Sequence, residues 1–108
     1  MIDLKEKHCL PCKEGSKPFD KEQILRYIKK IAPNWQVIAD KKLQKEFRFK
    51  NFRSGMAFAQ KIAEIAENEN HHPDICIRYK EVIVELSTHN IVGLSENDFI
   101  LAAKIDEI

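Results

Sequence analysis

Two short runs of alternating apolar residues in the second half of the chain constrain its fold most. Run 75–79 leads into Lys80-Glu81 and then into run 82–86, and every second side chain of each run is apolar. This period of two is typical of strands that bury one face, and a short polar connection joins such strands into a hairpin. The sequence therefore predicts an antiparallel pair. Its apolar positions are Ile75, Ile77, Tyr79, Val82, Val84 and Leu86.

A second pair of alternating runs lies earlier in the chain. Run 35–39 is followed by the polar stretch 40–42 and by run 43–49, in which Lys45 interrupts the apolar parity. We interpret this pair as a second hairpin. Trp35 is predicted to be a core residue rather than a stacking platform, because large aromatic side chains mostly serve burial.

Three segments have helical signals instead. Asp20 and Gln23 fit a capping box at the start of the first helix, and Ser95 and Asp98 fit one at the start of the last. Between the hairpins, an apolar stripe of period 3.6 begins at Asn51 and fades near Glu67. The stripe comprises Phe52, Met56, Ala59, Ile62, Ala63 and Ala66.

The order α-β-β-α-β-β-α predicts an α+β fold, with a four-stranded antiparallel sheet and three helices packed on one face. Residues 18–108 are expected to form this single domain, and residues 1–17 a polar, loosely structured arm. Ile83 has the opposite parity to its apolar neighbours. The second face of the sheet is therefore expected to be partly covered, as happens when a small chain forms a homo-oligomer.

Charge and cysteine content narrow the functional classes. A formal net charge of +1 argues against a nucleic-acid binder. No apolar run approaches the roughly 20 residues of a membrane span, and the charged N-terminus does not resemble a signal peptide. Three cysteines, an odd number, favour free thiols and hence the cytoplasm.

The arm contains one motif, His8-Cys9-x-x-Cys12. We interpret Cys9 and Cys12 as free thiols. A zinc site would need four ligands, and only His8 is close enough in sequence to add one. A redox pair is a weaker alternative, because no strand precedes the motif.

Three of the four histidines fall at the ends of predicted elements. His71-His72-Pro73 precedes the third strand, and His89 ends the fourth. Counting outward from the Lys80-Glu81 turn places position 72 roughly opposite position 89, so the three imidazoles are expected to converge. They could bind a metal with help from Glu67 or Asp74, satisfy hydrogen bonds, or transfer protons.

The histidine spacings typical of metal sites are absent, and so are nucleophile motifs and glycine-rich phosphate loops. An enzyme built on these residues would work by proton transfer on a small molecule. Hydration, dehydration and tautomerisation are the reaction classes that fit.

A wider set of residues resembles the pterin-4a-carbinolamine dehydratase family. The motifs, in order, are Ala66-Glu67, His71-His72-Pro73-Asp74, Ser87-Thr88-His89, Gly93-Leu94-Ser95 and Asp98. Trp35 and the spacing Phe47-x-Phe49-x-x-Phe52 agree upstream. The resemblance covers about residues 18–108, and this ordered set of motifs is highly specific.

The resemblance implies the same four-stranded fold, a homo-dimer or homo-tetramer, and no metal or organic cofactor. It implies that water is removed from 4a-hydroxytetrahydropterin to give quinonoid dihydropterin, which recycles tetrahydropterin for aromatic amino-acid hydroxylases. Two alternatives stay open. One is a protein-interaction module, as in the animal members that act as dimerisation cofactors of a homeodomain transcription factor. The other is an enzyme of this fold acting on another pterin, such as a molybdopterin-related compound.

The resemblance also implies site residues. His71, His72 and His89 correspond to the catalytic histidines, and Glu67 to a carboxylate that orients one of them. The residues implied to contact the pterin are Glu67, Asn70, Pro73, Ser87, Thr88, Asn90 and Asp98. Asn70 stands where some relatives have aspartate. Capping of the last helix explains Asp98 equally well.

Overall fold

The computed structural model describes residues 3–13 and 15–108. Its order of helices and strands is the predicted α-β-β-α-β-β-α, preceded by a short 3-10 helix. The helices are α1 (Lys21–Ile28), α2 (Phe52–Glu69) and α3 (Glu96–Ile105). The strands are β1 (Gln36–Ile38), β2 (Lys42–Arg48), β3 (Asp74–Ile77) and β4 (Glu81–Leu86). The 3-10 helices are Leu4–Glu6 and His89–Ile91.

The four strands form one antiparallel sheet in the order β1-β2-β4-β3, so β3 lies at an edge. The predicted register of the second hairpin is wrong by two residues. Ile77 pairs with Val82, so Tyr79 lies in the turn instead of the strand. Continued beyond Asp74, this register places His72 opposite Ser87 and not opposite His89.

All three helices pack on one face of the sheet, which confirms the predicted architecture. Val82, Val84 and Leu86 of β4 are fully buried on that face. They belong to one core with Ile24 of α1, Ile62 of α2 and residues 99–102 of α3. Burial of such apolar side chains is the main stabilising contribution to a domain of this size.

Lys45 lies on the core face, which explains why it interrupts the apolar parity of β2. Its Nζ is 2.7 Å from Asp106 Oδ1, and it lies 5.0 Å from the centre of the Phe47 ring. Asp106 also accepts a 2.8 Å hydrogen bond from Nε1 of Trp35, which is buried in the core. A charged side chain can occupy this face because its partner ends α3 directly above it.

The helix termini follow local sequence chemistry. Asp20 and Gln23 form the predicted capping box, and Asn51 caps α2 by accepting a hydrogen bond from Ser54 N at 2.8 Å. α2 ends at Asn70, whose φ of 52° and ψ of 41° are left-handed. This conformation suits asparagine, and it turns the chain from α2 into the histidine run.

The predicted α2 stripe is wrong at its start, and Ala63 within it is exposed as well. Phe52 and Met56 are 48% and 39% exposed, and burial begins at Gly55 and Ala59. A Cβ added at Gly55 would lie 3.3 Å from a methyl group of Val82. The glycine therefore allows α2 to approach β4 closely at this point.

Residues 3–13 are not the loose arm expected from their polarity. Leu4 is only 7% exposed and belongs to the core, and Lys104 Nζ donates to the carbonyl of Lys5 at 2.9 Å. Met1, Ile2 and Glu14 of the predicted arm lie outside the described residues. Within the described ranges, no helix is long and apolar enough to cross a membrane.

Candidate active site

The candidate site lies where three structural elements meet. The end of α2 leads into His71 and His72, the end of β4 leads into Thr88 and His89, and the start of α3 contains Asp98. Because β3 and β4 pair antiparallel, the start of one strand lies beside the end of the other. This topology brings the segment that begins at His71 close to the segment that follows β4.

Asp98 is the centre of the site. Its side chain is fully buried, and Oδ1 accepts a hydrogen bond from His71 Nε2 at 2.7 Å. Oδ2 accepts from Thr88 Oγ1 at 2.8 Å and from Ser95 N at 3.0 Å. A buried carboxylate is tolerated only when its oxygens are satisfied in this way. The three donors hold the carboxylate in place, and the carboxylate orients the His71 ring.

His72 has the opposite environment. Its Nε2 donates to Glu67 Oε2 at 2.5 Å, and the two side chains are 55% and 76% exposed. Glu67 lies on the last turn of α2, five residues before His72. The pair is therefore accessible to a small molecule, and the Glu67 carboxylate fixes which ring nitrogen has the proton.

His89 and Asn90 begin the 3-10 helix after β4, and both are exposed. The helix ends at Val92, a β-branched residue with a left-handed φ of 52° and ψ of 55°. Thr88 N donates to Gly93 O at 2.8 Å and closes this turn. A Cβ at Gly93 would lie 2.5 Å from the Cβ of Pro18, so only glycine fits there.

The structure corrects two of the implied substrate contacts. Thr88 and Asp98 are 3% and 0% exposed, and their polar atoms bind each other, His71 and Ser95 instead of facing an opening. Pro73 and Ser87 are half-buried, whereas Asn70 and Asn90 are exposed. Three surface clefts of about 440 to 580 Å³ lie elsewhere on the domain and contain no histidine.

Sequence reasoning did not assign Ser95 and Cys12 to this region. Ser95 Oγ lies 2.8 Å from Thr88 Oγ1, and the backbone carbonyl of Cys12 accepts a 3.0 Å hydrogen bond from Asn90. The capping-box spacing of Ser95 and Asp98 indicates in the sequence that Ser95 lies close to Asp98. No local pattern indicates the second, because Cys12 and Asn90 are 78 residues apart.

The arrangement is suited to proton transfer. One imidazole is oriented by a buried carboxylate and a second by an exposed one, and a third, His89, is exposed and follows Thr88, which donates to the buried carboxylate. Imidazole exchanges protons readily near neutral pH, and a partner carboxylate determines which ring nitrogen is free to do so. Within residues 3–13 and 15–108, no group of three histidine, cysteine or acidic side chains is arranged to hold a metal ion.

Comparisons with known proteins identify similar chains. A family model described as "Pterin 4 alpha carbinolamine dehydratase" matches residues 17–108. A relative from Alkaliphilus metalliredigens is 44% identical over 107 residues, which is 99% of this chain and 96% of its own length. One from Rubrobacter xylanophilus is 42% identical, and the match covers both chains completely. Both have the provisional name pterin-4-alpha-carbinolamine dehydratase.

Two solved structures share the fold. A transcriptional coactivator/pterin dehydratase from Brucella melitensis superposes with a TM-score of 0.78 at 26% identity, over 84% of this chain and 97% of its own. A pterin dehydratase-like protein, described as a RuBisCO assembly factor in the alpha-carboxysome, has a TM-score of 0.59 at 24% identity. That match covers 68% of this chain and 87% of the other, and it shows similarity of fold alone.

The α+β fold and the relatives together define an enzyme of the dehydratase class, a hydro-lyase. Within that class, the chain belongs to the pterin 4 alpha carbinolamine dehydratase family.

Proposed function

We propose that this protein removes water from 4a-hydroxytetrahydropterin to give quinonoid dihydropterin, by acid–base catalysis with His71, His72 and His89. The observation that supports this most is the buried Asp98–His71 pair, in a chain of this family whose His72 and His89 are exposed. The product would re-enter the pool of tetrahydropterin that aromatic amino-acid hydroxylases oxidise. The reaction would need no metal or organic cofactor.

In the proposed mechanism, one imidazolium donates a proton to the 4a-hydroxyl group, and the C–O bond breaks with loss of water. A neutral imidazole takes the proton from the ring nitrogen whose loss completes the imine. The substrate therefore loses one water molecule and no net charge. His72 and His89 are assigned to the two sides of the reacting carbon because both are exposed. His71 assists from a fixed position.

The remaining residues orient these groups and the pterin. Exposed Asn70 and Asn90 and half-buried Pro73 and Ser87 are assigned to the pterin ring. Glu67 orients His72, in keeping with its hydrogen bond to that ring. Thr88 and Asp98 act through His71, since neither is exposed enough to contact a substrate.

A homo-oligomer is part of this proposal. β3 is an edge strand, and Ile77 and Tyr79 of its hairpin are 37% and 71% exposed. Unpaired strand edges with apolar side chains are common contact surfaces between subunits. A cytoplasmic location stays a prediction, supported by free thiols at Cys9, Cys12 and Cys76.

A protein-interaction role is the second candidate. Phe52 and Met56 are exposed one turn apart on α2, away from the histidines. The Brucella melitensis structure is described as a coactivator as well as a pterin dehydratase. Binding through α2 would leave the histidine site free, so the two roles are compatible. An enzyme for another pterin would use the same histidines.

The deciding experiment is a dehydration assay with 4a-hydroxytetrahydropterin, corrected for the spontaneous reaction. The wild type should exceed the spontaneous rate, and His72→Ala and His89→Ala should each lose about 10²–10⁴-fold in kcat. Glu64→Gln, an exposed change on α2, is the control and should keep full activity. A wild-type rate equal to the spontaneous rate would exclude this function and favour the interaction module.

A further inference from the structure

Residues 8–12, which we name the clasp, lie outside the range 17–108 that matches the family model. The clasp contains the His8-Cys9-x-x-Cys12 motif, to which the dehydratase reaction assigns no role. This segment packs beside the histidine site. Its hydrogen bonds reach the end of α2, the start of α3 and the 3-10 helix after β4.

Asn97 makes the largest share of these contacts. Its Oδ1 accepts a hydrogen bond from Leu10 N at 3.0 Å, and its Nδ2 donates to Leu10 O at 2.6 Å. The same Nδ2 lies 3.6 Å from Cys12 Sγ, and Cys9 Sγ lies 3.6 Å from the backbone oxygen of Asn97. Asn97 is only 8% exposed, and it immediately precedes Asp98.

Glu69 holds the other end of the clasp. Its Oε1 accepts from Cys9 N at 2.7 Å, and its Oε2 accepts from His8 Nδ1 at 2.9 Å. Lys104 Nζ lies 3.6 Å from the same Oε2. The Glu69 side chain is 6% exposed and lies two residues before His71, so this contact ties the clasp to the start of the histidine run.

Asn90 provides the third connection. Its Nδ2 donates to the carbonyl of Cys12 at 3.0 Å, and it follows His89 directly in the 3-10 helix. The clasp therefore joins three elements, in addition to the direct contacts that Lys104 and Asp98 of α3 make with their neighbours. Each of these elements bears a histidine or the carboxylate that orients one.

We propose that Asn97 is a positioning residue of the histidine site, which acts by holding the clasp against α2, α3 and the His89 turn. Its effect on the reaction rests on the proposed function. Its effect on the geometry of His71 and His89 does not. The His8-Cys9-x-x-Cys12 motif then has a role in the site. Loosening the clasp should displace His71 and His89, which lie outside the clasp.

The thiols of the clasp report its docking without any substrate. Burial, with added repulsion from the charges of Glu69 and Asp98, raises the pKa of Cys9 to about 12. A docked Cys9 should therefore react slowly with iodoacetamide, and a released one faster. Cys9 in the urea-unfolded protein provides the reference rate.

The test compares the full-length wild type with Asn97→Ala, using peptide mass spectrometry for alkylation and NMR for the imidazole resonances. Loss of both Leu10 hydrogen bonds should raise the alkylation rate of Cys9, relative to its rate in the unfolded protein, by about tenfold. The resonances of His71 and His89 should shift. We expect kcat to fall about tenfold with KM within about twofold, because displaced catalytic groups affect the transition state most.

Two further variants sharpen the comparison. Asn97→Asp keeps the acceptor for Leu10 N but places a carboxylate oxygen against Leu10 O, so its effects should be at least as large as those of Asn97→Ala. Lys5→Ala removes an exposed ion pair with Glu107, which follows α3, and none of the hydrogen bonds that hold the clasp. It should leave alkylation, resonances and kcat unchanged. If Asn97→Ala does not fold, Glu69→Gln serves instead, with the same direction of change.

A tenfold faster alkylation of Cys9 with unchanged histidine resonances and kcat would overturn the proposal. Unchanged alkylation would overturn it as well, because Asn97 would then not hold the clasp. If the wild type fails to dehydrate the pterin, the proposed function fails alone. Alkylation and resonances still decide the positioning role in that case.

Discussion

His71 and His72 are neighbours in the chain, and each donates a hydrogen bond to a carboxylate, yet their surroundings are opposite. The His71–Asp98 pair is 12% and 0% exposed, whereas the His72–Glu67 pair is 55% and 76% exposed. A buried pair must keep every partner, because a lone charge there is costly. An exposed pair contributes little to stability and can change partners when a ligand arrives. The two adjacent histidines can therefore have different roles. His71 stabilises the site, and His72 is free to contact a ligand.

The largest effect should come from replacing each histidine. His72→Ala is expected to lose about 10²–10⁴-fold in kcat while its free energy of unfolding stays within about 0.5 kcal/mol of the wild type. His71→Ala should lose activity and also about 2 kcal/mol of stability, because the buried Asp98 oxygen loses its partner. Urea unfolding and the dehydration assay measure both. Equal losses of stability in His71→Ala and His72→Ala would contradict the proposed difference between the buried and the exposed pair.

Replacing the buried carboxylate should also cost more stability than replacing the exposed one. Asp98→Asn is expected to cost about 3 kcal/mol, since its amide group faces donors that need an acceptor. Glu67→Gln should cost less than about 0.5 kcal/mol, because solvent replaces the lost contact. The midpoint of urea unfolding compares them directly. A Glu67→Gln protein as unstable as Asp98→Asn would show that exposure does not govern these pairs.

A smaller change tests the buried pair alone. Thr88→Val keeps the shape of the side chain and removes the hydroxyl that donates to Asp98 at 2.8 Å. It should cost about 1 kcal/mol and change the NMR signal of the His71 ring. Ser87→Ala, on the half-buried neighbour, is the matched control and should leave that signal in place. An unshifted ring in Thr88→Val would mean that the hydroxyl does not help to fix Asp98.

The smallest effect concerns two glutamates on the last turn of α2. Burial by itself would raise the pKa of Glu69, but hydrogen bonds from Cys9 N and His8 and the charge of Lys104 outweigh it and lower the pKa below its usual 4.5. A lowered pKa means that Glu69 stabilises the fold above about pH 4.5 and loses this effect as the pH falls through the lower folded value.

Acidification below pH 4.5 should therefore loosen the clasp, visible as a change in the amide resonance of Cys9. Glu69→Gln should remove this pH dependence, and Glu67→Gln should preserve it. A Cys9 amide that responds equally in both variants would show that Glu69 does not control the docking.

The parts of the fold that depend on neighbouring residues could be predicted from the sequence. Asp20 with Gln23 and Ser95 with Asp98 form the expected capping boxes, because a helix terminus is satisfied by side chains three residues away. The register of the second hairpin could not be derived this way. Its turn includes Tyr79, and Lys80 accepts a 2.8 Å hydrogen bond from Phe49 N on another strand.

The residues of the site could be predicted from the sequence, but their arrangement in space could be predicted less well. The histidine motifs indicate where protons could move, but nothing local shows that Asp98 is buried beneath His71, 27 residues away. The docking of residues 3–13 depends on contacts such as Leu10 with Asn97, across 87 residues. The polar composition of these residues suggested a loose arm. Composition alone does not show which of their polar groups form hydrogen bonds with the rest of the domain.

Val92, which ends the turn that begins with His89, has a left-handed backbone that a β-branched side chain adopts at a cost of about 1–2 kcal/mol. It is also 68% exposed, so little packing compensates for that cost. In a laboratory selection for heat tolerance, we would therefore expect glycine or asparagine to appear early at position 92. Such a substitution would relax the loop that displays the His89 imidazole, so under the proposed function heat tolerance would be gained at the expense of turnover at this residue.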